Sequence, residues 1–192
     1  MRILSAFILS LSLITALPAY SGWQLDSKNS SVTFVSIKKG MVAENHRFKE
    51  FSGGITDNGI ANFIIDLNSV DTSISVRDER MTKFLFETSL FEHARFTAQL
   101  DQKDLNTIAV GSTRKMSIKG NLDLHGQQQD LLLNVMVAKL SEQQMMVTTL
   151  QPLIIKAEDF ALMKGINKLK SLAKLPSIAY SVPVSFVLTF RQ

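Results

Sequence analysis

From residue 22 onward, apolar and polar side chains mostly alternate along the chain. The clearest run is at the C-terminus, where Val182, Val184, Phe186, Leu188 and Phe190 alternate with Pro183, Ser185, Val187, Thr189 and Arg191. Alternation of that length predicts a strand with one face on a core. Ile118, Leu122 and Leu124 alternate with Ser117, Lys119, Asn121 and Asp123 in the same way, and Leu131, Leu133, Val135 and Val137 continue the pattern. Val32 and Phe34 begin an earlier strand, and Phe63, Ile65 and Leu67 share one face of another. Turn signals separate these runs: Asp57-Asn58-Gly59, His125-Gly126 and Ser141-Glu142-Gln143. Asn-Gly is a strong hairpin marker. Strands joined mainly by hairpins give an antiparallel sheet, and a long sheet in a chain this size curls into a barrel or a sandwich.

Two stretches depart from period two. Residues 75–86 have helical spacing, with Ile74, Met81, Phe84 and Leu85 on one side. Ser75 and Asp78 form a weak capping box, and Glu79 to Lys83 is a favourable i,i+4 pair. A second short helix is expected between Ala161 and Ala173, before Pro176. There are no internal repeats or linkers, so residues 22–192 read as one domain.

The first 21 residues read differently. Arg2 supplies a positive start, Ile3 to Leu17 is uncharged and apolar, and Pro18, Ala19 and Ser21 lead to a plausible cut after Ser21. This is the pattern of a cleaved export signal, too short in its apolar part for a membrane span. It implies a periplasmic or secreted protein. The chain has 192 residues and no cysteine, which removes disulfides, thiolate metal sites and thiol chemistry. The net charge of +4 is spread along the chain, with groupings at Lys38, Lys39 and at Lys164, Lys168, Lys170 and Lys174. A nucleic-acid binder would show a denser basic stripe with interleaved aromatics, so no nucleic-acid partner is expected. Mild attraction to anionic lipid headgroups, and with it transient contact with a membrane surface, fits the charge.

Several ordered segments carry a resemblance. Trp23-Gln24-Leu25-Asp26 with Ser31-Val32-Thr33-Phe34 opens it, followed by His46-Arg47-Phe48 through Phe51 to Gly53. Ser69 to Thr72, then Arg77-Asp78-Glu79-Arg80-Met81 and Leu85-Phe86, form a helix entry and helix. Gly120 through Gly126 and Glu158-Asp159-Phe160 complete the set. From about Trp23 to Phe190 the chain resembles the YceI family, the polyisoprenoid-binding-like proteins. The resemblance implies a mainly all-β fold: a lipocalin-like antiparallel β-barrel of about eight strands with one or two short helices packed at its side. It also implies a long apolar channel for isoprenoid or acyl lipids. The sequence departs from the family pattern at two loop positions. Ala161 stands where glycine is frequent, and Glu92 stands where proline is frequent.

On this reading the expected lining residues are Phe34, Phe48, Phe63, Met81, Leu85, Phe96, Leu122, Val135 and Phe186. Ordinary core packing is the alternative role for each of them. Met81, Met136, Met145 and Met146 are flexible enough to adapt a pocket. The charges at residues 77–80 either grip a headgroup or cap the helix and tie it to the barrel rim. The three histidines, His46, His93 and His125, have no metal-binding spacing. No nucleophile elbow, phosphate loop or dinucleotide fingerprint occurs. The expected function is therefore binding of a long apolar lipid such as a polyisoprenoid, an isoprenoid quinone or an acyl lipid, with no catalytic residues, no metal and no cofactor beyond the non-covalent ligand. A ligand-free interaction or stress-response module, and a weak lipid- or quinone-modifying enzyme, are the alternatives. Oligomeric state is left open, a dimer included.

Overall fold

The computed structural model describes residues 22–192; the expected leader, residues 1–21, lies outside the described residues. Twelve strands form: β1 Gly22–Leu25, β2 Ser31–Lys38, β3 Val42–Phe48, β4 Phe51–Thr56, β5 Ile60–Asp66, β6 Val70–Asp71, β7 His93–Gln99, β8 Thr113–Leu124, β9 Gln127–Ser141, β10 Gln144–Thr149, β11 Leu153–Lys156 and β12 Ser181–Arg191. The hydrogen-bonded order β1-β4-β5-β7-β8-β9-β10-β12 returns to β1 through Gln24↔Arg191 and Leu25↔Phe190, so eight strands close an antiparallel barrel.

The remaining strands extend this ring. β2 continues β1 past a short turn at Ser27–Asn29 and pairs with β12 and β3; β6 continues β5 and pairs with β3; β11 continues β10 and pairs with β12. The chain thus forms long bent staves, each beside its neighbours in sequence. The bends are tied across staves. Lys49 N–H donates to Ser69 O at 3.1 Å, and Asp66 N–H donates to Glu50 O at 3.0 Å. Thr189 lies on the outward parity of β12 yet is buried, because its hydroxyl donates to Asn29 O at 2.8 Å and its N–H to the Ser30 hydroxyl at 2.9 Å.

Successive staves run in opposite directions, so their connections gather at two ends. At one end lie the β2–β3 hairpin, the β8–β9 hairpin and two helices, α1 Ser75–Arg80 and α3 Met163–Leu172. (The helix between them in sequence, Gln102–Asn106, is α2.) The opposite end holds the turn after β4, α2 and the turn after β9. The core follows the same division. One apolar cluster, at the α2 end, includes Trp23, Leu105, Val137, Met145 and Phe190. The other, at the α1–α3 end, includes Phe34, Leu67, Met81, Leu85 and Ile166.

The local structure has identifiable causes. His125 and Gly126, with φ of 54° and 72°, make the two-residue turn between β8 and β9, the left-handed pair that matches strand twist. After α1 the helix widens over Met81–Leu85, where Phe86 N–H reaches back to Met81 O at 2.9 Å, an i→i+5 bond. Gly165 lets α3 press onto this turn: a Cβ there would stand 2.5 Å from Phe84 O and 2.7 Å from Leu85 Cα. The expected capping box is not formed. The residue before α1 is Ile74, which supplies no side-chain cap, and Asp78 instead accepts from the Thr72 N–H at 2.9 Å and from the Thr72 hydroxyl. No ion pair joins Glu79 to Lys83; Lys83 lies 5.4 Å from the Phe84 ring centroid. α2 had no expectation from the pattern, because five residues are too few for a period, although Asp101 caps it by accepting from Lys103 N–H at 2.9 Å.

Charged groups fasten α1 to the barrel. Arg77 Nη1 donates to Glu44 Oε2 at 3.0 Å, and Lys38 Nζ sits 2.7 Å from the same oxygen. Arg77 Nη2 donates to Thr72 O at 2.6 Å. The residue-77 charge therefore ties the helix to the rim, the structural one of the two roles. Beside it, His46 is 4% exposed, with Nε2 2.8 Å from the Ser36 hydroxyl. Burial, then the nearby Arg77 charge, pushes the His46 imidazole below its ordinary range. The Lys38 hydrogen bond, reinforced by Arg77, holds the Glu44 carboxyl below its own.

These shifts set a pH dependence. The unfolded chain protonates His46 near its ordinary pKa of about 6.5, while the folded chain resists the proton until lower pH. The stabilisation is thus complete above about pH 6.5 and declines as pH falls through the folded-state value. Glu44 adds a second loss below about pH 4.3. Chemical denaturation of the His46→Gln variant should show a flatter stability profile just below about pH 6.5; an unchanged slope would show that His46 carries none of it. A second test concerns Ala161, whose φ of 55° is left-handed. Ala161→Gly relieves that strain, partly offset by added freedom in the unfolded chain, and should raise stability by about 0.5–1 kcal/mol in a thermal melt.

Candidate ligand-binding site

In a closed barrel, one parity of every strand points at a common axis. Here that parity is apolar, and its side chains do not fill the interior. A cavity of about 240 Å³ runs from the α2 end to the α1–α3 end, with lining residues drawn from both core clusters. Its wall is almost wholly carbon.

All nine residues singled out from the sequence lie on this wall. Phe34 and Phe48 come from the paired strands β2 and β3 and sit diagonally, Phe34 opposite His46 and Phe48 opposite Val32, with ring centroids 5.3 Å apart. Phe63 and Phe96 face each other as register partners on β5 and β7. Leu122 pairs with Phe96 across β7 and β8. Val135 on β9 is 0% exposed, and Phe186 on β12 stands opposite Val32. Met81 and Leu85 come from the widened turn after α1. Of the four methionines considered as adaptors, Met81 and Met145 line the cavity, while Met136 and Met146 occupy the opposite strand parity and do not.

The pattern alone did not identify the end walls. At the helical end the wall includes Phe86, Leu162 and Ile166; at the other it includes Leu100 and Leu105. Phe86 packs 5.9 Å from Phe48, ring to ring. The short apolar spacing of Leu162, Ile166 and Leu169 marks an α3 face, but only the close approach at Gly165 aims it into the barrel.

Asn62 on β5 is among the lining residues, its Oδ1 buried without a partner; the other polar groups gather at the helical end. His46 points inward from β3, its ring 5.1 Å from Phe34, and its Nδ1 is buried without a hydrogen-bond partner, as is Arg77 Nε. His125 belongs to a different contact set: Nε2 is 3.0 Å from Glu87 Oε2, and the ring packs 4.4 Å from Phe91. His46 and His125 share no partner. Among the described residues no group of three or more His, Asp or Glu side chains is placed to hold a metal ion. The arrangement suits retention of an apolar molecule: an apolar interior gives about 0.8 kcal/mol per buried methylene, and the charged groups stand at a rim.

Comparison with known proteins agrees with this geometry. A polyisoprenoid-binding domain from Saccharophagus degradans, implicated in plant cell wall breakdown, is 42% identical, with a TM-score of 0.86 over 88% of this chain and 97% of that one. Burkholderia cenocepacia BcnA shares the fold at 23% identity, with a TM-score of 0.66 over 86% of this chain and 98% of that one. No curated protein sequence matches the chain significantly. The family model described as YceI-like domain matches residues 23–190, the whole closed barrel, and the chain belongs to that family.

Proposed function

We propose that the chain binds one long apolar lipid, a polyisoprenoid, isoprenoid quinone or acyl lipid, in the barrel cavity and holds it without transforming it. The observation that carries this reading is the continuous carbon-walled cavity inside a closed barrel. An empty void of about 240 Å³ would cost on the order of 5 kcal/mol, at about 24 cal/mol per Å³. A hydrocarbon tail removes that cost and adds its own transfer energy. The absence of charge inside leaves tail length and branching as the main selectors, with any polar head left at the end where His46 and Arg77 sit. The likeness to a polyisoprenoid-binding domain supports the same class of ligand. Phe34, Phe48, Phe63, Met81, Leu85, Phe96, Leu122, Val135 and Phe186 are the proposed contacts. No catalytic residue, metal or cofactor enters this reading.

We further propose that residues 1–21 direct export and are removed, placing the barrel in the periplasm or outside the cell. Mass spectrometry of envelope and secreted fractions should find chains beginning near Gly22, and intact Met1 there would contradict the cleavage.

The ligand reading is tested by native mass spectrometry of the purified barrel with solvent extraction of what it releases. One isoprenoid or acyl lipid per chain is expected. A lipid-free mass that stays unchanged when such lipids are offered would leave an interaction module with an empty interior. Val135→Phe adds volume where the void is, so it should leave the lipid-free melting temperature within a few degrees of the parent and weaken lipid binding about tenfold or more. Phe186→Asp should abolish binding or folding, because it places a charge on the dry face.

A further inference from the structure

The two ends of the barrel differ in charge and in exposed apolar surface. At the α2 end the connections carry Asp57, Asp101, Asp104 and Glu142 against Lys103, with Asp104 paired to Arg114 at 3.6 Å. At the other end α3 carries Lys164, Lys168 and Lys170, with Lys174 just beyond it and no acidic residue between them. The tip of the β2–β3 hairpin adds Lys39, and this tip is bound to the segment after α3: Lys39 N–H donates to Ser177 O at 3.1 Å and Ala179 N–H to Ile37 O at 2.8 Å. Glu79, Glu158 and Asp159 also lie at this end, with Glu87 beside His125 and Glu92 beside His93. Three further carboxylates are matched. Glu44 is held by Lys38 and Arg77, Asp71 by Arg47, and Asp78 by Thr72.

Beside these lysines stand apolar side chains with nothing over them. Met41, at the hairpin tip, is 84% exposed, and Val42 follows it at 38%. Ile74 and Val76, at the start of α1, are 46% and 48% exposed. The Arg77–Glu44 bond holds this helix start against β3, two residues along the strand from Val42, so the two apolar pairs belong to one face. A protruding apolar tip that carries Lys39, on the same end as the lysines of α3, is complementary to a bilayer with anionic headgroups. The same end carries Met81, Leu85 and Ile166, the side chains that separate the cavity from the outside.

We propose that the α1–α3 end of the barrel docks on an anionic lipid bilayer. Met41, Val42, Ile74 and Val76 enter the headgroup boundary, Lys39 and Lys174 contact lipid phosphates, and the acidic α2 end points away. This deepens the ligand reading and rests on it: a lipid that resides in membranes is taken up or released where the cavity's helical wall meets the bilayer.

The test is co-sedimentation of the chain from Gly22, which contains the whole closed barrel and both core clusters, with vesicles of phosphatidylcholine alone or of phosphatidylcholine with phosphatidylglycerol. Binding should require phosphatidylglycerol and fall as salt rises. Met41→Ser with Val76→Ser, and separately Lys39→Ala with Lys174→Ala, should each lower partitioning about tenfold while melting temperature and uptake of a short-chain isoprenoid quinone from solution stay unchanged. Equal binding to both vesicle types, or parent-like binding by both variants, would overturn the docking proposal. A dimer that these substitutions split, with no vesicle binding, would do so as well and assign the face to a second copy of the chain. Quinone uptake without vesicle binding would overturn docking alone. Vesicle binding without uptake of any isoprenoid would overturn the ligand reading and leave docking standing.

Discussion

The strand Ser181–Arg191 is hydrogen-bonded along both edges. One edge carries β10 and then β11; the other carries β1 and then β2. The eight-stranded ring closed in this way has no free edge, and its inward parity must point at one axis. The interior is then bounded by the ring, so its volume depends on strand number and tilt rather than on how many side chains are available to fill it. A cavity follows, and with it the separation of an apolar inside from a polar outside.

The ends of the barrel answer a different demand. An open eight-stranded barrel would admit water to a carbon wall. α2 brings Leu105 into one end, and α3 with the widened turn after α1 brings Ile166, Met81 and Leu85 into the other. The helical end is closed by contacts of two kinds. Gly165 permits backbone-to-backbone approach between α3 and the turn, while Arg77, Glu44 and Lys38 hold α1 from outside. Polar ties placed outside the cavity leave the interior dry.

Much of this is legible in the sequence. Period-two alternation names the inward parity directly, because a one-residue slip would reverse every side chain. That is why Phe186, Leu122, Val135 and Phe63 fall on the cavity wall. The same rule explains Met136 and Met146: parity places them on the far face, whatever their flexibility. The turns at Asn58-Gly59 and His125-Gly126 were legible for a local reason, since left-handed backbone is needed there and the residues permit it. Spacing alone makes Asp78 part of a cap, but its carboxylate is drawn instead to Thr72, a contact that local spacing does not encode.

The sequence by itself determined which residues alternate, where the chain turns, that the stretches after Ile74 and Ala161 are helical and that no thiol chemistry is available. These properties depend on neighbours a few positions apart. The tertiary structure decided that β12 meets β1, that bent staves lengthen the barrel, that α2 and α3 aim their apolar faces into its ends, and that the interior is a void rather than a solid core. Each of those depends on contacts between residues far apart in the chain, such as Leu25 with Phe190 or Gly165 with Phe84, and on a volume fixed by closure geometry.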